Sequence, residues 1–254
     1  MSVKLQKPHL DTTSGSEILV SNFSGRLLIV SPHLDDAVLS LGGAIARHVR
    51  LGSDCTIVTV FAGNPECTRP AGPYDRRCGF LSAGEAAARR RREDRKACAL
   101  VGAKPVWLPF GGIQYDRIND AEAVWTALEA YVDQAQIVLL PGFPLVHPDH
   151  LWVTQLVWER VTKKSGVGFY AEQPYAHSVQ AANDRRDFVA DIRVQWVSLY
   201  AGIAERFAKG RACRAYWSQF RTLGCHLPRR WLMPELFWTV ESLARPLGGT
   251  SDCN

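Results

Sequence analysis

Two short stretches concentrate the side chains that bind metal ions and move protons: Pro32-His33-Leu34-Asp35-Asp36 and His147-Pro148-Asp149-His150. Imidazole nitrogen and carboxylate oxygen are common zinc ligands, and a catalytic zinc site uses three protein ligands while keeping a fourth position open. His33 and Asp36, three apart on a turn entering a helix, can chelate one ion, and His150 can complete the set from the second stretch. Asp35 is then left as a base acting on the activated water, and His147 faces the cleft as a cation or proton donor. Two adjacent carboxylates repel and raise a pKa unless a cation lies between them, a demand that a divalent ion meets. The plainer alternative is that Asp35 and Asp36 only cap the following helix, a common duty of Asp, and that the histidines are structural. Each stretch is richer than capping requires, and the pair together favours a metal.

Both stretches must be positioned by secondary structure. Leu27–Ser31 is a short continuous apolar run, the pattern of a strand buried on both faces. An amphipathic helix over 37–50 and a second strand over 55–61 follow, making a βαβ unit and implying a parallel sheet. The stretch 63–79, rich in Pro, Gly and charge, reads as a long loop of the functional kind. A helix over 82–101 has Ser82 as N-cap, Glu85 at its third position and Gly102 past its end. A strand over 104–108, a helix over 121–134 and a buried strand over 136–140 come next. The second metal-type stretch sits in the loop after that strand, and a helix over 150–163 follows. A strand over 167–170 is followed by a possible strand near 188–194 and helical segments over 198–207 and 213–223. The expected fold is α/β: a Rossmann-like, mostly parallel sheet flanked by helices, with a helical C-terminal section. Residues 1–25 read as a lead-in and 26–254 as one domain. Ligands of open parallel sheets bind at the carboxyl ends of the strands, where both stretches stand.

Composition narrows the function classes. The 254 residues are 46% hydrophobic and 22% charged with a formal net charge of +5, ordinary for a soluble globular protein. The cluster Arg89, Arg90, Arg91, Arg92 and Arg95 is broken by Glu93 and Asp94 and reads as a solvated helix face, with no nucleic-acid recognition module beside it. No apolar run approaches the roughly 20 residues of a membrane span, and 1–17 carry no signal-peptide segment. Seven cysteines, an odd number with no CxxC pair, indicate neither a disulfide framework nor a thiolate zinc site. The expected compartment is the cytoplasm.

The motifs resemble those of the PIG-L (LmbE-like) N-deacetylase family. The resemblance rests on Pro32-His33-Leu34-Asp35-Asp36-Ala37 before Gly42-Gly43 and on His147-Pro148-Asp149-His150. Weaker support comes from Arg90-x-x-Glu93-x-x-x-Ala97, Tyr170-x-Glu172-x-Pro174-Tyr175 and Tyr216-x-Ser218-Gln219. It spans roughly Leu27 to Trp238. It implies one Zn2+ per chain held by His33, Asp36 and His150, with Asp35 as general base and His147 assisting the tetrahedral intermediate. Asp149 would orient one of the histidines. The implied reaction removes the N-acetyl group from N-acetylglucosamine carried on a larger aglycone, a small-molecule conjugate. Leu34 replaces the more usual Pro, Ala37 a frequent Glu, and Leu145 offers no phenol or acid where some relatives have a polar group. For contact with the aglycone, Arg90 and the 64–79 loop, with Asn64, are the candidates. Two rivals remain: a zinc amidase acting on a thiol conjugate or another N-acyl small molecule, and a binding module that has lost activity. The intact set of five chemical residues argues against the second.

Overall fold

The computed structural model describes residues 25–115, 121–142, 147–161, 166–173, 194–199, 201–220 and 235–240, with backbone alone for 194–199, 220 and 236–240. Most of the expected lead-in, Leu145, and the strand near 188–194 apart from Val194 lie outside the described residues.

Continuous apolar runs become strands buried on both faces. β1 (Leu27–Ser31) and β4 (Ile137–Pro141) are buried at every position. β2 (Cys55–Thr59), β3 (Lys104–Trp107) and β5 (Val167–Tyr170) join them in the order β3-β2-β1-β4-β5, all parallel. Successive strand side chains alternate between faces, so the runs feed two cores. Leu27, Ile29, Ile57 and Leu139 pack against α1 (Asp36–Arg50) and α3 (Ala83–Val101). Leu28, Val30, Val58 and Leu140 pack on the other face against α4 (Ala121–Gln134) and α5 (Pro148–Val161). Burying each such side chain contributes about 1.5–3 kcal/mol.

The 63–79 stretch, expected as loop, contains one helical turn, α2 (Pro73–Arg77). α3 starts and stops as its residues require: Ser82 Oγ accepts the Glu85 N–H at 3.1 Å, Glu85 accepts the Leu81 N–H, and Gly102 takes φ 80°. The arginines of α3 are not simply a solvated face. Arg90 turns into the protein, and Arg91 and Arg95 lie over the Trp107 ring.

The C-terminal section has the expected helical character and adds two strands. It carries α6 (Ile203–Cys213) and α7 (Trp217–Phe220), but also β6 (Val194–Leu199) and β7 (Glu235–Val240). β7 pairs antiparallel with β5, and β6 with β7. The β-branched and aromatic residues of β6 and β7 favour strands, while the pairing of β7 with the distant edge of β5 is a tertiary matter. Among the described residues no helix is long and apolar enough to cross a membrane.

Candidate metal centre

β1 and β4 are neighbours, yet the chain leaves β1 towards β2 on one side and reaches β4 on the other. That reversal opens a crevice at the strands' carboxyl ends, the usual binding place in such sheets. The turn after β1 carries His33, Asp35 and Asp36; the turn after β4 carries His147, Asp149 and His150. The two stretches therefore meet.

Three donor atoms converge. His33 Nδ1 lies 3.1 Å from His150 Nε2 and 3.3 Å from Asp36 Oδ2, and His150 Nε2 lies 3.2 Å from Asp36 Oδ2. A tetrahedral ion with bonds of about 2.0–2.1 Å keeps its ligand atoms about 3.3 Å apart, so this triangle fits a zinc-sized ion. The far nitrogen of each histidine is engaged by a carboxylate. Asp149 Oδ2 lies 3.1 Å from His33 Nε2, and Glu172 Oε1 pairs with His150 Nδ1. Such outer carboxylates fix ring orientation and raise ligand basicity. His147 also brings a ring nitrogen within 4.8 Å of the other two histidines. Its Nδ1, however, accepts the Asp149 N–H at 3.2 Å, which leaves the tight triangle to His33, Asp36 and His150.

The local backbone explains why Asp35 is available. It sits at the N-cap of α1 but makes no side-chain cap bond. Ser31 substitutes: its hydroxyl accepts the Ala37 N–H at 3.2 Å and donates to the His33 carbonyl at 2.7 Å. Asp36 Oδ2 accepts the His33 N–H at 2.8 Å, closing the turn. The capping alternative for Asp35 thus has no bond to rest on.

Electrostatics show a site built for positive charge. Burial, then the neighbouring Asp36 charge, push Asp35 up to about 7. Burial alone would raise Asp36, but the charge and hydrogen bond of His150, with those of His33, hold it well below the usual carboxylate range. Burial opposes charge on His33, yet its bonds to Asp149 and Asp36 raise it to about 9. Burial likewise opposes His150, and Asp36 and Glu172 raise it well above an ordinary imidazole. Burial pushes Asp149 up, and its bonds from His33 and the Ile113 N–H bring it down to about 2. His147 goes the other way, to about 4, through burial and then the charges of His33 and His150. Buried carboxylates Asp35, Asp149 and Glu172 beside Asp36 call for a cation, and a divalent ion would serve where protons otherwise gather.

Two supports were not assigned from the sequence. Glu172 leaves the end of β5, next to β4, and reaches His150; only its place in a family-like motif pointed to it. Gly112, after β3, brings the backbone against Asp149: a Cβ there would lie 2.4 Å from Asp149 Oδ2. On the opposite side, Gln219, just beyond Tyr216 and Ser218, donates to the Leu34 carbonyl at 3.4 Å. Ser218 bonds Glu93 and Tyr216 bonds Asp94, so two of the weaker motifs touch each other.

The triangle opens into a cavity of about 540 Å³ lined also by Phe61, Tyr74, Arg77, Arg90, Tyr115 and Gln219. Arg90 lies within it, paired with Asp75 at 2.6 Å. Asn64 is not part of the lining, and its side-chain oxygen accepts the Glu66 N–H at 3.0 Å.

The sequence profile of the GlcNAc-PI de-N-acetylase (PIG-L) family matches residues 28–161. Over 183 residues the chain is 33% identical to 2'-N-acetylparomamine deacetylase of Streptomyces fradiae, spanning 64% of this chain and 62% of that protein. Diacetylchitobiose deacetylase of Thermococcus kodakarensis is 29% identical over 131 residues, 49% of this chain and 45% of that protein. The chain thus spans less than two thirds of either curated relative. The crystal structure of an A40926 pseudoaglycone deacetylase superposes with a TM-score of 0.72 at 25% identity, over 85% of this chain and 96% of that one.

Proposed function

The chain belongs to the PIG-L de-N-acetylase family, and on that premise we propose that it is a zinc-dependent hydrolase removing the N-acetyl group from an N-acetylglucosaminyl moiety on a larger aglycone. The observation that carries this reading is the triangle of His33 Nδ1, Asp36 Oδ2 and His150 Nε2, each edge between 3.1 and 3.3 Å. These three residues would hold one ion. When bound, zinc supplies a Lewis acid that lowers the pKa of water towards about 7 and polarises the acetamide carbonyl.

The chain's own groups do the rest. Asp35, which makes no side-chain cap bond at the start of α1, takes the proton from the attacking water and returns it to the departing amine. It lines the same cavity as the proposed triangle, the placement that general acid–base work requires. His147 has its Nδ1 occupied by the Asp149 N–H, so its Nε2 carries the proton and donates to the oxyanion as the neutral ring. Deleting one such donor typically costs about 3–4 kcal/mol of barrier. Asp149 and Glu172 keep His33 and His150 in the ligating orientation. Arg90 stands on the aglycone side of the cavity; Asn64 lies outside the lining.

In this reading residues 26–254 form one deacetylase domain working in the reducing cytoplasm, where Cys55 and Cys98, buried and with thiols raised by that burial, stay protonated and inert. The test is acetate release from a panel of N-acetylglucosaminyl conjugates by the metal-loaded protein, repeated after chelation and after zinc is restored. Acetate release that needs the ion is the expected result. A panel on which the zinc-loaded protein releases none sinks the reading.

A further inference from the structure

The outer wall of the cavity is built by the 63–82 segment, and its construction is firm. The Ala71 N–H bonds the Leu81 carbonyl at 3.0 Å, Ala83 N–H the Arg69 carbonyl at 2.9 Å, and Gly84 N–H the Cys67 carbonyl at 2.9 Å. From the far side, Gln114 Oε1 accepts the Asp75 N–H at 3.3 Å, and the Tyr115 hydroxyl accepts the Gly72 N–H at 3.1 Å while donating to Asp75. These bonds set α2, and with it Tyr74 and Arg77, at the cavity's exposed end.

Among the described residues, the two arginines on this wall differ in their partners. Arg90, only 12% exposed in its side chain, is answered by Asp75 at 2.6 Å. Its guanidinium lies 4.9 Å from the centroid of the Tyr74 ring, and that of Arg77 lies 5.7 Å from the same centroid. Arg90 and Arg77 thus flank the Tyr74 ring, in the same cavity that Asp35 lines. Arg77 lines the cavity and is exposed, and it makes no ion pair among the described residues. A guanidinium at a cavity mouth, over an aromatic face and with no ion pair to any described residue, suits the forked oxygens of a carboxylate or phosphate. It also repels a polyamine.

We propose that Arg77, backed by the Tyr74 ring, is the specificity-determining contact for an anionic oxyacid group, carboxylate or phosphate, on the aglycone of the substrate. This rests on the deacetylase reading for the position of the acetylated sugar, with Arg77 meeting what the sugar carries. The cavity's volume of about 540 Å³ is within the range that takes ligands of more than one ring.

Four size-matched phenyl N-acetylglucosaminides, bearing a para carboxylate, phosphate, hydroxymethyl or aminomethyl group, test it on the zinc-loaded full chain. The expected order of kcat/KM places the two anionic conjugates about tenfold above the hydroxymethyl one, mainly through KM, and the aminomethyl one below it. Because the mouth is exposed, the preference shrinks between low and about 0.3 M salt. In R77Q the anionic-to-neutral ratio falls towards one, R77K retains part of it, and R77E inverts it. The relative ranks of carboxylate and phosphate show which source of the anion fits better. Equal kcat/KM for charged and neutral conjugates in the parent protein overturns the proposal, as does a preference that survives in R77Q. If no conjugate releases acetate, the deacetylase reading fails separately. Calorimetric binding of the para-carboxyphenyl conjugate then decides the anion contact alone: weakening in R77Q supports it, and indifference to R77Q overturns it.

Discussion

At the buried end of the cavity, His33, Asp36 and His150 stand on two turns that leave adjacent parallel strands, and each histidine is backed by a carboxylate. At the exposed end, Tyr74 and Arg77 stand on one turn of helix that no strand carries. It is fixed instead by side chains from the segment after β3, Gln114 and Tyr115. The first region takes its precision from the sheet, whose register is set by continuous apolar strands. The second takes it from a few polar bonds between distant loops. In the proposed reading, chemistry falls on the rigid part of the fold and selectivity on a part that can change without disturbing the core.

The comparison is sharpest when the buried end is broken. Asp36→Ala removes a carboxylate from the proposed triangle and leaves two raised histidines without their shared partner. Zinc stoichiometry should fall to near zero, and acetate release should drop by about 10³-fold or more, in line with the several kcal/mol a metal supplies. Full activity in a zinc-depleted D36A protein would show that the triangle is not the reaction centre. Next in size is Asp35→Asn. Because Asp35 makes no cap bond, the helix should be undisturbed and zinc retained, while turnover falls by about 10²–10⁴-fold, the usual worth of a positioned acid–base group. Unchanged turnover with zinc bound refutes the base assignment.

Glu172→Gln probes the carboxylate behind His150. The ring loses a charged partner but keeps a hydrogen-bonding one, so zinc affinity should weaken by about 10–100-fold. Competition with a chelator of known affinity measures it. At saturating zinc, turnover should recover most of its value; a turnover defect that zinc does not relieve would place Glu172 in the reaction itself.

The two ends of the cavity also differ in how far they could be read in advance. His33, Asp36 and His150 were legible because ligand chemistry fixes residue type and the apolar runs beside them announce strands. The neighbourhood of β1 and β4, on which the whole triangle depends, is a matter of strand order and was only supposed. Glu172 carried a weak signal, since a single acid after a strand has many uses. The pairing of Asp75 with Arg90, and of Tyr115 with both Gly72 and Asp75, joins residues far apart in sequence with no periodicity to reveal it. Arg90, on α3, lines the cavity, whereas Asn64, on the preceding loop, lies outside the lining and bonds within its own turn. The antiparallel β7 escaped for the same reason: it pairs with the edge of β5 on one side and with β6 on the other, both far from it in sequence.

The smallest effect expected is the most direct probe of the exposed end. Tyr115→Phe removes one hydroxyl, whose donor bond goes to the buried Asp75 and whose acceptor bond comes from the Gly72 N–H. A hydrogen bond to a charged group contributes about 1.5–3 kcal/mol when buried, and partial solvent contact here should bring the loss to the lower end. For a chain of this size that is a fall in Tm of a few degrees. Asp75 keeps its pair with Arg90, so α2 should loosen rather than detach, and the wall should hold a conjugate less firmly. KM for conjugates should rise a few-fold while kcat and zinc affinity stay within about twofold, because the triangle is held by other bonds. A matching loss in kcat would mean that the polar bonds of the mouth also set the geometry of the buried end, and the division of labour between the two regions would have to be given up.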